Sequence, residues 1–181
     1  MLIIAFLVVA VTVSFIYVRA AGAVMWKGLL IFALCFAVLN LLYVISLAVV
    51  SLFVSTSKPI SKQNALCRAS CIGVAGLITG YSWIRTHISG MDKLPDAGRF
   101  VFVCNHRSGF DPLIVMDKLR KYNISFVSKP SNMHIPVAGK LAYGAGFLSI
   151  DRENDRNALR TILQAADYVK RGLCSIGIYP E

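Results

Sequence analysis

The sequence is short of acidic residues and of histidine, and its front is almost free of charge. Nine Asp and Glu and three His stand against 19 Lys and Arg in 181 residues, and only Arg19 and Lys27 precede residue 58. A chain that is 56% hydrophobic, with the excess gathered at its N-terminus, is too apolar for an ordinary soluble domain and falls in the membrane class. No C-x-x-C pair occurs among the five cysteines Cys35, Cys67, Cys71, Cys104 and Cys174. This argues against a disulfide framework and for reduced, buried thiols facing a cytosolic compartment. Cys67 and Cys71 share a helical face, but without His or carboxylate neighbours they make a poor metal site, so no metal is expected. The absence of a nucleic-acid motif, with the basic residues scattered, discounts nucleic acid as the partner of the positive charge. No internal repeat or low-complexity tract is present. No G-x-S-x-G surrounds Ser108 or any other serine, which leaves a hydrolase triad unsupported.

Two long apolar runs are present. Met1 to Val18 is uncharged and as a helix spans about 27 Å, just enough for a hydrocarbon core of about 30 Å. A signal peptide is the competing reading, weakened by the missing basic leader and by the second run, Gly28 to Val54. Arg19 to Lys27 then forms a short loop. Lys58, Lys62 and Arg68 outnumber the two basic residues of that loop, which places the C-terminal body and the N-terminus in the cytoplasm. The organisation expected is a membrane-embedded helical hairpin over 1–57, a linker and interfacial helix over 58–84, and a catalytic domain over 85–181. Ser55 to Ser61 is the linker, and Ala65 to Trp83 the helix lying against the bilayer. Gly76 and Gly80 also match the small-residue spacing of membrane helix contacts.

From residue 84 the pattern alternates. Strands are predicted at Phe100–Cys104, Ile124–Ser128, Phe147–Ile150 and Leu173–Tyr179, with helices at Asp111–Lys121, Ile135–Gly144 and Asn154–Arg171. The last helix carries Leu159, Ile162, Leu163, Ala166 and Val169 at helical spacing and closes on Gly172. Repeated strand–helix units predict an α/β domain with a mostly parallel sheet behind the transmembrane helices.

The chemistry is expected at the end of the first strand, where Asn105-His106-Arg107-Ser108-Gly109-Phe110-Asp111 stands. Ligands of such sheets collect beyond the strand C-termini. A turn containing Gly109 lets Asp111 reach the His106 ring, accept its Nδ1 proton and leave Nε2 as a base. By spacing alone, an aspartate capping a helix beside a structural histidine is an equal alternative. Lys129, at its strand end, adds positive field. His87 and His134 lack partners and read as structural or surface residues.

Three blocks carry a resemblance. Asn105 to Asp111, then Gly146-Phe147-Leu148-Ser149-Ile150-Asp151-Arg152, then Ile178-Tyr179-Pro180-Glu181, resemble in order and spacing the signature blocks of the glycerolipid (1-acylglycerol-3-phosphate) acyltransferase family with the H-x4-D motif. The resemblance covers residues 85 to 181. It implies a partial αβ acyltransferase domain with His106 as general base and Asp111 as its orienting partner. It assigns Arg152 and Glu181 to the acceptor's glycerol phosphate, with Arg107 and Gly146 as further substrate-binding positions, Arg107 toward the phosphate or the thioester and Gly146 in support, by allowing a close backbone approach. A guanidinium grips a phosphate bidentately; the alternative for Arg152 is a salt bridge to Asp151, Glu153 or Asp155. Glu181 would repel phosphate, so it holds a basic side chain or a glycerol hydroxyl, or is a surface acid. Arg107 is equally a solvated charge.

The activity implied is acyl transfer from acyl-CoA or acyl carrier protein, as co-substrate, to the free hydroxyl of lysophosphatidic acid, without a cofactor. His106 would deprotonate that hydroxyl, which attacks the thioester directly. The alternatives are glycerol 3-phosphate or another lysophospholipid as acceptor, or an inactive membrane protein that only binds lipid or a partner. Ser149 and Tyr179 depart from the family's usual bulky apolar residue and Phe. The sequence stops inside the third block, which predicts a fragment of a longer product.

Overall fold

A computed structural model describes residues 2–22, 24–57 and 59–180. Two compact units appear, Met1–Val49 and Val50–Glu181. The first is built from helix α1 (Leu2–Ala21) and most of α2 (Met25–Leu52), both long and apolar enough to cross a membrane. The expected Arg19–Lys27 loop shrinks to residues around Gly22 and Val24, because both helices run on past the apolar stretches into their flanking cations. Polar side chains in these helices turn back on the backbone. Thr12 donates to Val8 O at 2.8 Å and Asn40 to Phe36 O at 2.8 Å, as polar groups in an apolar stretch must. Ser14 donates across to Gly28 O at 2.7 Å, and a Cβ on Gly28 would stand 2.7 Å from Val18 Cγ2, so the two helices approach closely there.

The second unit is an α/β body. Its sheet has four parallel strands in the order β1 (Val101–Val103), β4 (Ser175–Ile178), β2 (Ile124–Ser128) and β3 (Leu148–Ser149). Val101 pairs with Ile176, Ile124 with Ser175, and Val127 with Leu148. One face carries Ile124 and Phe126, clustered with Ala75, Met116, Leu119 and Tyr122 from the helices. The other face packs Ile176 and Leu148 with Ala165 and Tyr168. Both faces of the central strands β2 and β4 are therefore buried, which is why these strands read as apolar runs rather than as alternating patterns, while Val101 and Val103 of the edge strand β1 stay exposed. Gly177 of β4 leaves the space in which the Phe126 ring lies; a Cβ there would overlap that ring.

Helix α3 (Ala65–Tyr81) starts at Asn64, whose side chain accepts from Leu66 N and Cys67 N. It packs on α4 (Asp111–Lys118) and α6 (Ala138–Gly144), burying Cys67, Ala75, Leu77 and Thr79. Leu66, Tyr81 and Trp83 stay exposed.

Several boundaries depart from the sequence reading. The helix expected to reach Lys121 ends at Lys118, followed by a 3₁₀ turn at Arg120–Tyr122 and a left-handed Asn123 (φ 51°). Buried Asp117 fastens that end by pairing with Lys118 Nζ at 2.8 Å and Arg120 at 2.9 Å. The helix expected at Ile135–Gly144 starts only at Ala138 (α6), after Val137 at φ 64°, and a short helix that was not expected, α5 (Pro130–Met133), precedes it. Pro136 explains the late start, since it lacks an N–H and pushes Ile135 from the helical region. Paired β3 is only two residues, because it is an edge strand. Helix α7 (Asp155–Lys170) forms as expected, capped by Asn154 and closed by Gly172 at φ 70°. Its sheet-facing side holds Ala165 and Tyr168, while Leu159, Ile162 and Leu163 face outward.

Candidate active site at the strand ends

Because the four strands are parallel, their C-termini open on one edge, where crossovers deliver the reactive residues. After β1, Cys104 N donates to Ile178 O at 3.3 Å, and the chain then turns through residues 105–110 into α4. In that turn Asp111 Oδ2 accepts from Arg107 N and Ser108 N, each at 2.8 Å, and meets His106 Nδ1 at 3.2 Å. Ser108 Oγ accepts from Phe110 N at 3.2 Å, so Ser108 holds the turn and is not set up as a nucleophile. Gly109 has no left-handed angle, and a Cβ there would meet open space; the turn does not require glycine at that position.

The tautomer follows from the donors. Two backbone N–H groups already point at Asp111 Oδ2, which must therefore be an acceptor. The nearby Nδ1 of His106 then carries its proton, and Nε2 is left with a free lone pair. Partial desolvation works to raise the Asp111 pKa, yet the N–H groups of Ser108 and Arg107 and the His106 imidazole together hold it below the usual carboxylate value. Asp111 stays ionised, and it opens α4 where the helix dipole favours a negative charge.

Tyr179 follows β4, next to β1 in the sheet. Its ring lies on the His106 ring, with centroids 4.6 Å apart and 32° between planes. On the core side it stacks on Phe126 at 5.6 Å and 12°. Burial pushes the Tyr179 phenol far above its ordinary pKa and raises the Cys104 thiol beside it.

Arg152 follows β3. It is exposed and donates from its guanidinium to Tyr179 O at 3.2 Å. Strand spacing of about 4.8 Å puts the end of β3 two strands from the end of β4, and the long side chain covers that distance. Among the described residues Arg152 makes no ion pair with Asp151, Glu153 or Asp155; Asp151 instead accepts from Glu153 N at 3.1 Å. Lys129 and Arg152 line one shallow groove with Pro130, Ser131 and Ile150, and the acidic Asp151 and Glu153 line it too. Arg107 is exposed in the His106 turn. Gly146 is buried at φ 91°, where a Cβ would stand 3.2 Å from both Cys174 Sγ and Ser125 Oγ, so it serves a close backbone approach inside the body. Glu181 lies outside the described residues. His134 bonds locally to Pro130 O at 2.7 Å, and His87 is exposed.

The structure thus brings His106 to Asp111 and brings Arg152, across β2, to the end of β4. The residue that sequence reasoning passed over is Tyr179, visible there only as a departure from Phe; its contacts lie 73 and 27 residues away in the chain.

A parallel α/β sheet with a histidine–aspartate pair and an exposed arginine at its C-terminal edge has the makings of a group-transfer site, and comparison with known proteins gives the class. The family model described as Acyltransferase matches residues 85–181, and the chain belongs to that family. It is similar to the 1-acyl-sn-glycerol-3-phosphate acyltransferase of Escherichia coli (strain K12), at 30% identity over 84 residues, covering 46% of this chain and 34% of that protein. It is 29% identical over 105 residues to the chloroplastic 1-acyl-sn-glycerol-3-phosphate acyltransferase BAT2 of Brassica napus, covering 58% of this chain and 30% of that one. The protein of the same name from Haemophilus influenzae is 30% identical over 83 residues, covering 46% and 34%. The chain spans about a third of the length of these curated relatives. No solved structure matches it.

Proposed function

We propose that this chain carries the catalytic site for moving a fatty acyl group from an acyl thioester to the free hydroxyl of 1-acylglycerol 3-phosphate, giving phosphatidic acid. The observation that carries the reading is the 3.2 Å contact of His106 Nδ1 with Asp111 Oδ2, which leaves Nε2 as the free base. In the proposed step Nε2 takes the proton of the acceptor hydroxyl as its oxygen bonds to the thioester carbonyl carbon. The tetrahedral intermediate then expels the thiolate, which takes the proton back from the imidazolium and leaves as a thiol. The donor is a co-substrate, acyl-CoA or acyl carrier protein, and the chemistry calls on no metal or organic cofactor.

Arg152, with Lys129 beside it, binds the acceptor phosphate. Arg107 adds positive charge next to the base, and Glu181 holds a basic side chain or a glycerol hydroxyl. The partner surface is a membrane: α1 and α2 insert as a hairpin, with the body on the cytoplasmic side, where the lipid acceptor lies. The relatives' names support the acceptor, with partial coverage.

The test is acyl transfer by membranes containing the chain, offered lysophosphatidic acid, glycerol 3-phosphate and a larger lysophospholipid, each with either donor. Turnover with lysophosphatidic acid is expected, and His106→Ala should lower it by about 10²–10⁴-fold while membrane insertion is unchanged. Full activity in that variant removes His106 from the mechanism, and a preference for another acceptor reassigns the substrate.

A further inference from the structure

We propose that Tyr179 is the positioning residue of this site, its ring holding the His106 imidazole in plane while its backbone carbonyl holds Arg152. The proposal rests on the reading of His106 as the base and adds what keeps that base aimed.

Asp111 grips His106 at one atom, Nδ1. One hydrogen bond fixes a ring nitrogen but leaves the imidazole free to rock about that bond, since χ2 of histidine is a broad torsion. A second contact, on the ring face, is needed to fix the direction of Nε2. Tyr179 supplies it at 4.6 Å between centroids. The tyrosine is itself immobile: it is 7% exposed and stacked on Phe126, which packs against Phe147 at 5.8 Å. Four rings, Phe147, Phe126, Tyr179 and His106, therefore touch in sequence; Phe126 and Tyr179 in the middle are buried, Phe147 is partly buried, and His106 at the other end is open to solvent.

The ring, rather than the hydroxyl, does the positioning. Among the described residues the buried Tyr179 hydroxyl has no hydrogen-bond partner, the nearby Cys104 thiol being a weak one. Its carbonyl, by contrast, is engaged, accepting from the Arg152 guanidinium at 3.2 Å. One residue thereby touches both the proposed base and the proposed phosphate grip, although His106 and Arg152 stand on opposite edge strands of the sheet.

The experiment is NMR of the full chain in lipid nanodiscs with labelled histidine and tyrosine rings, the His106 signals being assigned by His106→Gln. In the unchanged protein, a cross-relaxation peak between the Tyr179 and His106 ring protons is expected, and its absence overturns the proposal without any variant. Tyr179→Phe should keep the His106 ring shifts and the Nδ1-protonated tautomer. Tyr179→Leu should move those shifts downfield, as the ring current is lost, and reduce the share of that tautomer. An unchanged His106 spectrum in folded Tyr179→Leu overturns the proposal, as does an equal loss in Tyr179→Phe, which would assign the effect to the hydroxyl.

On acyl transfer, Tyr179→Leu should lower kcat about tenfold or more with KM for the acceptor little changed, and Tyr179→Phe should restore it. These spectra need no turnover. A chain with the ring contact but without activity fails the proposed function and keeps the contact; a chain with activity but without the contact does the reverse.

Discussion

His106 and Arg152 stand on opposite edge strands of one sheet, the first tied to a partner five residues away, the second to one 27 residues away. The histidine sits in a turn whose carboxylate also takes two backbone N–H groups, so three donors converge on Asp111 Oδ2. The arginine has one neutral carbonyl and no carboxylate partner among the described residues. A base has to be aimed before substrate arrives, and a local turn does this at small entropic cost. A phosphate-binding cation must instead be ready to exchange its partner. A single neutral hydrogen bond keeps the guanidinium nearby without neutralising it, whereas a salt bridge would have to be broken first.

Changes at the two ends should therefore fail differently. Asp111→Asn is expected to have the largest effect after loss of His106 itself. The amide oxygen can still accept from the two N–H groups and from Nδ1–H, but the negative charge that stabilises the imidazolium is gone, so kcat should fall about a hundredfold or more with little change in KM. Steady-state kinetics on lysophosphatidic acid decide this, and a pure KM effect would contradict the assignment. Arg152→Ala should do the opposite, raising KM for a phosphate-bearing acceptor about tenfold or more while kcat moves less. An unchanged KM would make Arg152 structural.

Acid sharpens the same contrast. The Asp111 pKa is lower in the folded chain than in the unfolded one, so its contribution to stability is present above the unfolded value, near 3.9, and fades as pH falls through the folded value. Denaturant unfolding below pH 4 should depend less steeply on pH in Asp111→Asn than in the unchanged chain; equal slopes would show that the carboxylate is not held. The smallest effect is expected at Gly109. With open space at its Cβ and no left-handed angle, Gly109→Ala should change stability by about 0.5 kcal/mol or less, as read by thermal unfolding. A large loss there would mean that the His106 turn is more constrained than its geometry indicates.

Much of this was legible in the sequence because it is local. The 124–128 strand, the α7 limits and the meeting of His106 with Asp111 all follow from short-range pattern: apolar runs, the Asn154 cap, Gly172, and a five-residue spacing. The late start of α6, at Ala138 rather than Ile135, was legible in principle, since Pro136 is a helix breaker, but the apolar run around it outweighed that signal. The outward face of α7 was not legible. Leu159 and Leu163 have the spacing of a buried stripe, yet the sheet side is filled by Ala165 and Tyr168, and periodicity cannot tell which of two apolar faces a sheet selects. Nor was the place of Tyr179, which depends on β4 entering the sheet between β1 and β2, a long-range choice that no local spacing encodes.

Gly177 contributes no side chain and touches no candidate substrate, yet the room it leaves is where Phe126 settles, and Phe126 is the floor on which Tyr179 rests. Any methyl placed at 177 would be felt as a tilt two rings outward, at the imidazole. The aim of the proposed base would thus be set partly from inside the sheet, by an empty position that a survey of surface residues would pass over.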